Sequence, residues 1–308
     1  MDFNSIDLNF VRSRSTTLAE VLPQVVASIE AQACLPDGTS VKSGLSSGFD
    51  ELDRITSGMS PGELIVVAAR PGNGRYAFAL DVAMHVATVE KCPVQFYSLI
   101  SLPEEIAMRM LCLASDVEYK ILKTATLEDT DWQSLSRGLG KLHDARISIE
   151  HLKGNQFEQL LKSMLRNQLD SGNKKGLVVV DAFQLFDFSH SSLRVDEAYR
   201  AALAALRSLA MELGLVVLLV SGLNCQLENR VDKRPLLHDL PRHGMLETMA
   251  DTVLLLYRDA FYHGIKSDDD PSISQIEVCV AKTKWDFYGS CQLMLSGKNF
   301  PVDAYWGH

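Results

Sequence analysis

The sequence predicts an α/β domain, a mostly parallel sheet flanked on both faces by helices. Three observations carry this. Short runs that are apolar almost throughout and rich in β-branched residues recur at 63–70, 93–100, 145–150, 176–186, 214–223 and 252–259. Strands covered on one face alternate polar and apolar residues, whereas strands covered on both faces read as these do. Segments of helical length separate the runs, which is the pattern of crossover helices between parallel strands. The first run also turns into its helix through a glycine-bearing loop, Arg70-Pro71-Gly72-Asn73-Gly74.

Taken in order, residues 1–47 read as a tail, an amphipathic helix and a linker, and residues 48–308 as one domain. Thr17 and Glu20 form a capping box, and Leu18, Val21, Leu22, Val25, Val26 and Ile29 follow at helical spacing, so a helix is predicted over 17–32. Pro23 removes one backbone bond, to Ala19, and predicts a kink near the first turn. The stretch 34–47, CLPDGTSVKSGLSS, is linker-like. A stripe so apolar must be covered, either by the domain's own core or by a neighbouring subunit. Further on, 194–213 places Leu203, Leu206, Leu209, Ala210 and Leu213 on one helical face, with Gly214 in position to end the helix. The segment 274–295 reads as two strands around a turn that extend the sheet antiparallel.

Composition bounds what such a domain can be. The chain has 308 residues, 46% of them hydrophobic and 22% charged, enough for one large core. There is no run of 18 apolar residues, and the start MDFNSIDLNF carries acids where a secretion signal needs a basic flank, so a cytoplasmic protein without membrane contact is expected. Its six cysteines are scattered and form no close pair of the kind zinc or redox sites use; buried free thiols are expected. A net charge of −9 excludes a uniformly basic nucleic-acid binder but leaves room for a basic pore or groove.

Chemistry is expected where 63–70 meets the next helix, at Gly72-Asn73-Gly74-Arg75-Tyr76. A phosphate loop needs small residues so that backbone N–H groups face the phosphates, a Lys for the β- and γ-phosphates, and a Ser or Thr hydroxyl for Mg²⁺. Location and glycines agree; Arg75 and Tyr76 do not. From the motif alone, a phosphate loop and a plain strand–turn–helix both stand.

The flanks extend the pattern. SGFDELDRITSGMSPGELIVVAARPGNGRYAFALDVA (47–83), FYSLISLPEEIAMRML (96–111), LVVVDAFQLF (177–186), the long segment 221–262 and AKTKWDFYG (281–289) run in one collinear pass. Together they resemble the C-terminal motor domain of the DnaB replicative helicases, whose corresponding segments include AARP-x-x-GKT, FFSLEMS, VIDYLQL, SQLNR and GKQRNGPxG. The resemblance implies a RecA-like P-loop NTPase core, ATP and Mg²⁺ as cofactors, single-stranded DNA as partner, and a ring of identical subunits, or of this chain with an intact helicase. Helix 17–32 then corresponds to the family's linker helix, which docks on the adjacent subunit. The family's N-terminal helical domain, which engages primase, has no counterpart in the sequence, so primase contact is not expected.

Residue by residue, the resemblance places nucleotide contacts at Gly72, Asn73, Gly74, Arg75, Tyr76 and Lys282, the Walker B acid and Mg²⁺ ligand at Asp181, and the trans-acting finger at Lys284. Several of these depart from the family. Its P-loop Lys is Arg75, its neighbouring Thr is Tyr76, its catalytic Glu is Ile100 and its γ-phosphate-sensing Gln is Gly222. A planar guanidinium does not replace a point-charge ammonium, and a phenol cannot set its oxygen where a short hydroxyl would. Four changes in one site imply weak or absent hydrolysis. DNA contact is implied at Arg230, Lys233, Arg234, Arg242 and Gly244, where Pro241-Arg242-His243-Gly244 replaces the family's R-E-S-G. Two classes of function follow: a divergent ATP-driven unwinding motor of replication, or a non-hydrolysing ring or regulatory partner of an intact helicase. A RecA-fold recombinase or clock-type ATPase shares the fold but fits 221–262 poorly.

Overall fold

The computed structural model of the chain describes residues 17–33, 44–171, 175–189, 193–241, 244–263 and 275–295. Strand β1 (Leu64–Ala69) lies at the centre, and all six of its residues are buried. With β2 (Val94–Ser98), β3 (Ile147–His151), β4 (Gly176–Asp181), β5 (Leu215–Gly222), β6 (Thr252–Tyr257), β7 (Gln275–Lys282) and β8 (Gly289–Met294) it forms a sheet in the order β3-β2-β4-β5-β1-β6-β7-β8. The first six positions in that order pair parallel, and β7 and β8 add antiparallel, as the sequence predicted.

The N-terminal helix α1 (Leu18–Ala33) forms as predicted with Pro23 inside it, and Glu20 accepts a 2.9 Å bond from the Thr17 amide. Its apolar stripe is not covered by the chain's own core: Leu18, Leu22, Val26 and Ile29 are 73, 47, 48 and 58% exposed. The domain proper begins with an isolated bridge between Leu45 and Met59 around α2 (Asp50–Thr56). Buried Asp53 fixes that entry by accepting bonds from the Ser46 hydroxyl (2.6 Å), the Ser47 hydroxyl (2.7 Å) and the Ser47 amide (3.0 Å).

Two apolar layers cover the sheet. On one face, α3 (Arg75–Thr88) is buried almost all round and packs with Phe96, Val179 and Leu218. Helix α4 (Pro103–Ser115) adds Ile106 and Met110 to this layer, and α5 (Tyr119–Thr124) and α6 (Asp129–His143) follow it. On the other face, α7 (Phe157–Ser171) and α8 (Val195–Leu213) bury Leu160, Met164, Leu203 and Leu206 against Val178, Leu219 and Leu255. Each such side chain contributes about 1.5–3 kcal/mol when removed from water, which is why the continuous apolar strands are tolerable only here. Gly214 takes φ 66° at the end of α8, the left-handed cap expected of it.

Some predicted strands differ in extent. The run 176–186 does not continue as a strand beyond Asp181. A short 3₁₀ turn at Phe183–Leu185 follows, and Phe183 and Phe186 turn into a cluster with Phe157, 6.2 and 5.3 Å away between ring centroids. Aromatic burial ends the strand there. β3 lies at the sheet's edge, so its side chains are half-buried or exposed, not covered on both faces. The cysteines are free among the described residues, with Cys112 and Cys291 buried, but Cys225 is exposed, contrary to expectation. No helix of the described residues is long and apolar enough to cross a membrane.

Candidate functional site

Four adjacent parallel strands, β2, β4, β5 and β1, end along one edge of the sheet, and their carboxyl ends carry the candidate residues. In open α/β sheets this edge is where ligands bind. The register aligns Ser98 with Asp181 and Ala69 with Gly222, and the Leu99 amide donates to the Asp181 carbonyl at 2.7 Å. Ile100, Asp181, Gly222 and the loop after β1 therefore share one neighbourhood.

The loop itself is a strand–turn–helix with two left-handed glycines. Gly72 and Gly74 adopt φ 82° and 85°, which residues with a Cβ rarely tolerate. Asn73, 1% exposed, accepts a 2.8 Å bond from the Arg258 amide, tying the loop to the start of α10 (Asp259–His263). Arg70 secures the other side through Glu228 at 3.0 Å and the Leu223 carbonyl at 2.9 Å. The first helical N–H groups of α3 have no intrahelical acceptor and stand at the positive end of its dipole, an arrangement that suits phosphate.

Arg75 and Tyr76, where the sequence departs from the expected motif, are both buried. Arg75 is 8% exposed; one guanidinium nitrogen donates to the Ala69 carbonyl at 3.2 Å, while its buried Nε has no hydrogen-bond partner. Tyr76 is 9% exposed and meets Phe96 edge-to-face at 6.3 Å. The Arg109 guanidinium sits 5.3 Å from the Tyr76 ring and 4.9 Å from that of Tyr119. The Tyr76 hydroxyl is enclosed with Ser101 facing it, yet no group meets hydrogen-bond geometry. Burial first, and then the neighbouring Asp181 charge, push its ionisation well above the ordinary phenol range, so it stays a neutral phenol. At Gly222 an added Cβ would lie 3.3 Å from the Gln184 amide nitrogen, and Gln184 Oε1 is itself buried without a partner.

The two expected lysines stand elsewhere. β7 runs against β6, so Lys282, opposite Val253, is carried toward the end of the sheet remote from the phosphate loop. Lys282 Nζ donates to the carbonyls of Glu247 and Ala250, each at 2.7 Å, at the end of α9 (Met245–Met249). Lys284 is exposed on the following turn with its Nζ 5.5 Å from the Trp285 ring. Neither reaches this chain's own loop.

The candidate DNA loop follows β5. Arg230 bonds buried Asp239 at 2.7 Å and the Arg234 carbonyl at 2.8 Å. Lys233 caps the Glu228 and Arg230 carbonyls. Arg234 pairs with Glu277 at 3.1 Å and covers the Tyr257 ring at 4.9 Å. Gly244, at φ 78°, opens α9, and Arg242 lies outside the described residues. Sequence reasoning placed these bases on the loop but missed that all three described ones are engaged within the chain; the alternating acids Glu228, Asp232 and Asp239 were the available signal. It also missed Arg109 and Gln184, which lie far from the loop in sequence.

A central strand feeding a glycine loop and buried helix, with an acid at the end of a strand two positions away, defines a RecA-like nucleotide-binding fold. The family described as DnaB-like helicase C terminal domain matches residues 44–300, and the chain belongs to it. It is 36% identical over 251 residues to the replicative DNA helicase DnaB of Geobacillus stearothermophilus, covering 81% of this chain and 54% of that protein. It is likewise 36% identical to the replicative DNA helicase DnaC of Bacillus subtilis (strain 168), covering 78% of this chain and 52% of that one. The chain thus spans about half the length of these relatives. A solved DnaB-like replicative helicase, described with its interactions with primase, superposes with a TM-score of 0.78 at 28% identity, covering 91% of this chain and 65% of that one.

Proposed function

We propose that this chain acts in DNA replication as a DnaB-like helicase homologue whose ATP site binds nucleotide but hydrolyses it weakly or not at all. The observation that carries this is the set of residues at or beyond three of the strand ends: Arg75 and Tyr76 after β1, Ile100 after β2 and Gly222 at the end of β5 stand where the family's hydrolytic groups belong. Binding is supported by the two left-handed glycines and by the amino end of α3. Hydrolysis needs groups that orient water and stabilise charge in the transition state. Ile100 cannot orient water, and Gly222 has no side chain to sense a γ-phosphate.

DNA contact through 223–244 is part of the proposal; Arg230, Lys233 and Arg234 hold the loop together, and Arg242, which lies outside the described residues, is proposed as a phosphate contact. Assembly into a ring, or beside an intact helicase, is supported by the exposed stripe of α1 and by the placement of Lys284. That stripe favours a second reading, a non-hydrolysing partner seated on an intact helicase. Phosphate release on single-stranded DNA, from the unaltered chain and Asp181→Ala, tests the main reading. Turnover within background for both is expected. Brisk turnover abolished by Asp181→Ala would make the chain a working motor.

A further inference from the structure

The phosphate loop and the divalent-cation position beside it have parted company in this chain. Mg²⁺ demands close octahedral oxygen ligation and in P-loop sites takes a short hydroxyl from the residue after the loop cation, together with a carboxylate. Here the residue after Arg75 is Tyr76, whose ring is fixed edge-to-face against Phe96 and whose oxygen is enclosed near Asp181. A phenol held by packing at its ring cannot retract to leave an ion's coordination sphere. Asp181 is the acid that remains, and Ile100 adds no oxygen.

Cationic charge is supplied by the chain instead. The Arg75 guanidinium is buried at the start of α3 with its Nε unpartnered, and the Arg109 guanidinium lies over the Tyr76 ring at 5.3 Å with its Nε likewise buried and unpartnered. A dication beside two guanidinium groups gains little and loses much of its hydration. The donor set does not fit Mg²⁺. It fits an anion approaching the amides of α3, because a guanidinium offers forked donors to phosphate oxygens.

We propose that the loop takes the polyphosphate of a nucleotide as the metal-free anion, held by the first amides of α3 and by Arg75, and that Tyr76 closes the site to Mg²⁺. This rests on the nucleotide-binding reading above. The test is titration of the full chain with a fluorescent, non-hydrolysable ATP analogue, in Mg²⁺ buffer and in EDTA, with Mn²⁺ electron paramagnetic resonance on the same complex. Affinity several-fold higher in EDTA than in Mg²⁺ buffer is expected, because Mg²⁺ complexes most of the nucleotide and leaves little of it as the metal-free anion. No protein-bound Mn²⁺ signal should arise, and Arg75→Ala should weaken binding about tenfold or more in both buffers, the loss of a charged hydrogen bond. Affinity that is unchanged or falls in EDTA, or a bound Mn²⁺ signal, overturns the proposal while leaving nucleotide binding intact. Undiminished binding by Arg75→Ala overturns the role given to Arg75. Absence of binding in both buffers overturns the proposal and the nucleotide reading together.

Discussion

Gly222 leaves space into which the Gln184 side chain fits. A side chain at 222 must displace the Gln184 amide, whose nitrogen lies 3.3 Å from the new Cβ. Gly222→Gln alone should therefore cost about 1 kcal/mol of stability through crowding, and Gln184→Ala should relieve it. Urea unfolding of both single variants and the double variant measures that coupling; additive effects would place the two side chains out of contact. Arg230 offers a second residue-scale test. Its side chain is 28% exposed, whereas that of Asp239 is 4% exposed, so Arg230→Ala leaves the buried carboxylate with the Leu236 amide but without its paired charge and should cost about 2 kcal/mol, below the value for a fully buried pair. An unchanged urea midpoint would mean the pair holds nothing. The residue identities at this site were legible in the sequence because they sit in motifs. Their partners were not, since Gln184 meets Gly222, and Arg109 meets Tyr76, only when β1, β2, β4 and β5 align.

Elements were more legible than contacts. The strands declared themselves through continuous apolar runs, and the capping box and Gly214 set helix ends where they were expected. Failures have physical causes. The run 176–186 is apolar past Asp181 because its phenylalanines serve a cluster beside the sheet, which periodicity cannot separate from a strand. For α1, amphipathicity predicted a helix but not its cover, because a stripe reads the same against any apolar surface. Its exposure now yields an expectation. Removing residues 1–34 should leave the domain's thermal unfolding unchanged while lowering its oligomeric state, with several kcal/mol of association lost at about 25 cal/mol per Å². Light scattering after size-exclusion reads the mass directly; an unchanged mass removes the docking role.

For the whole molecule, the proposal separates fold from hydrolytic chemistry. The chain belongs to the DnaB-like family, and on the proposed reading a packed phenol, a buried guanidinium, an aliphatic chain and a glycine stand in place of the groups that would complete hydrolysis. Each lost charge-stabilising group ordinarily costs about 10²–10³ in rate, and groups acting as a unit fail together. The most direct test is DNA-stimulated phosphate release by the wild-type chain beside the quadruple variant Arg75→Lys, Tyr76→Thr, Ile100→Glu, Gly222→Gln, at matched oligomeric state. The account predicts background turnover in wild type and a measurable gain in the variant. Robust wild-type turnover that the variant leaves unchanged would contradict it.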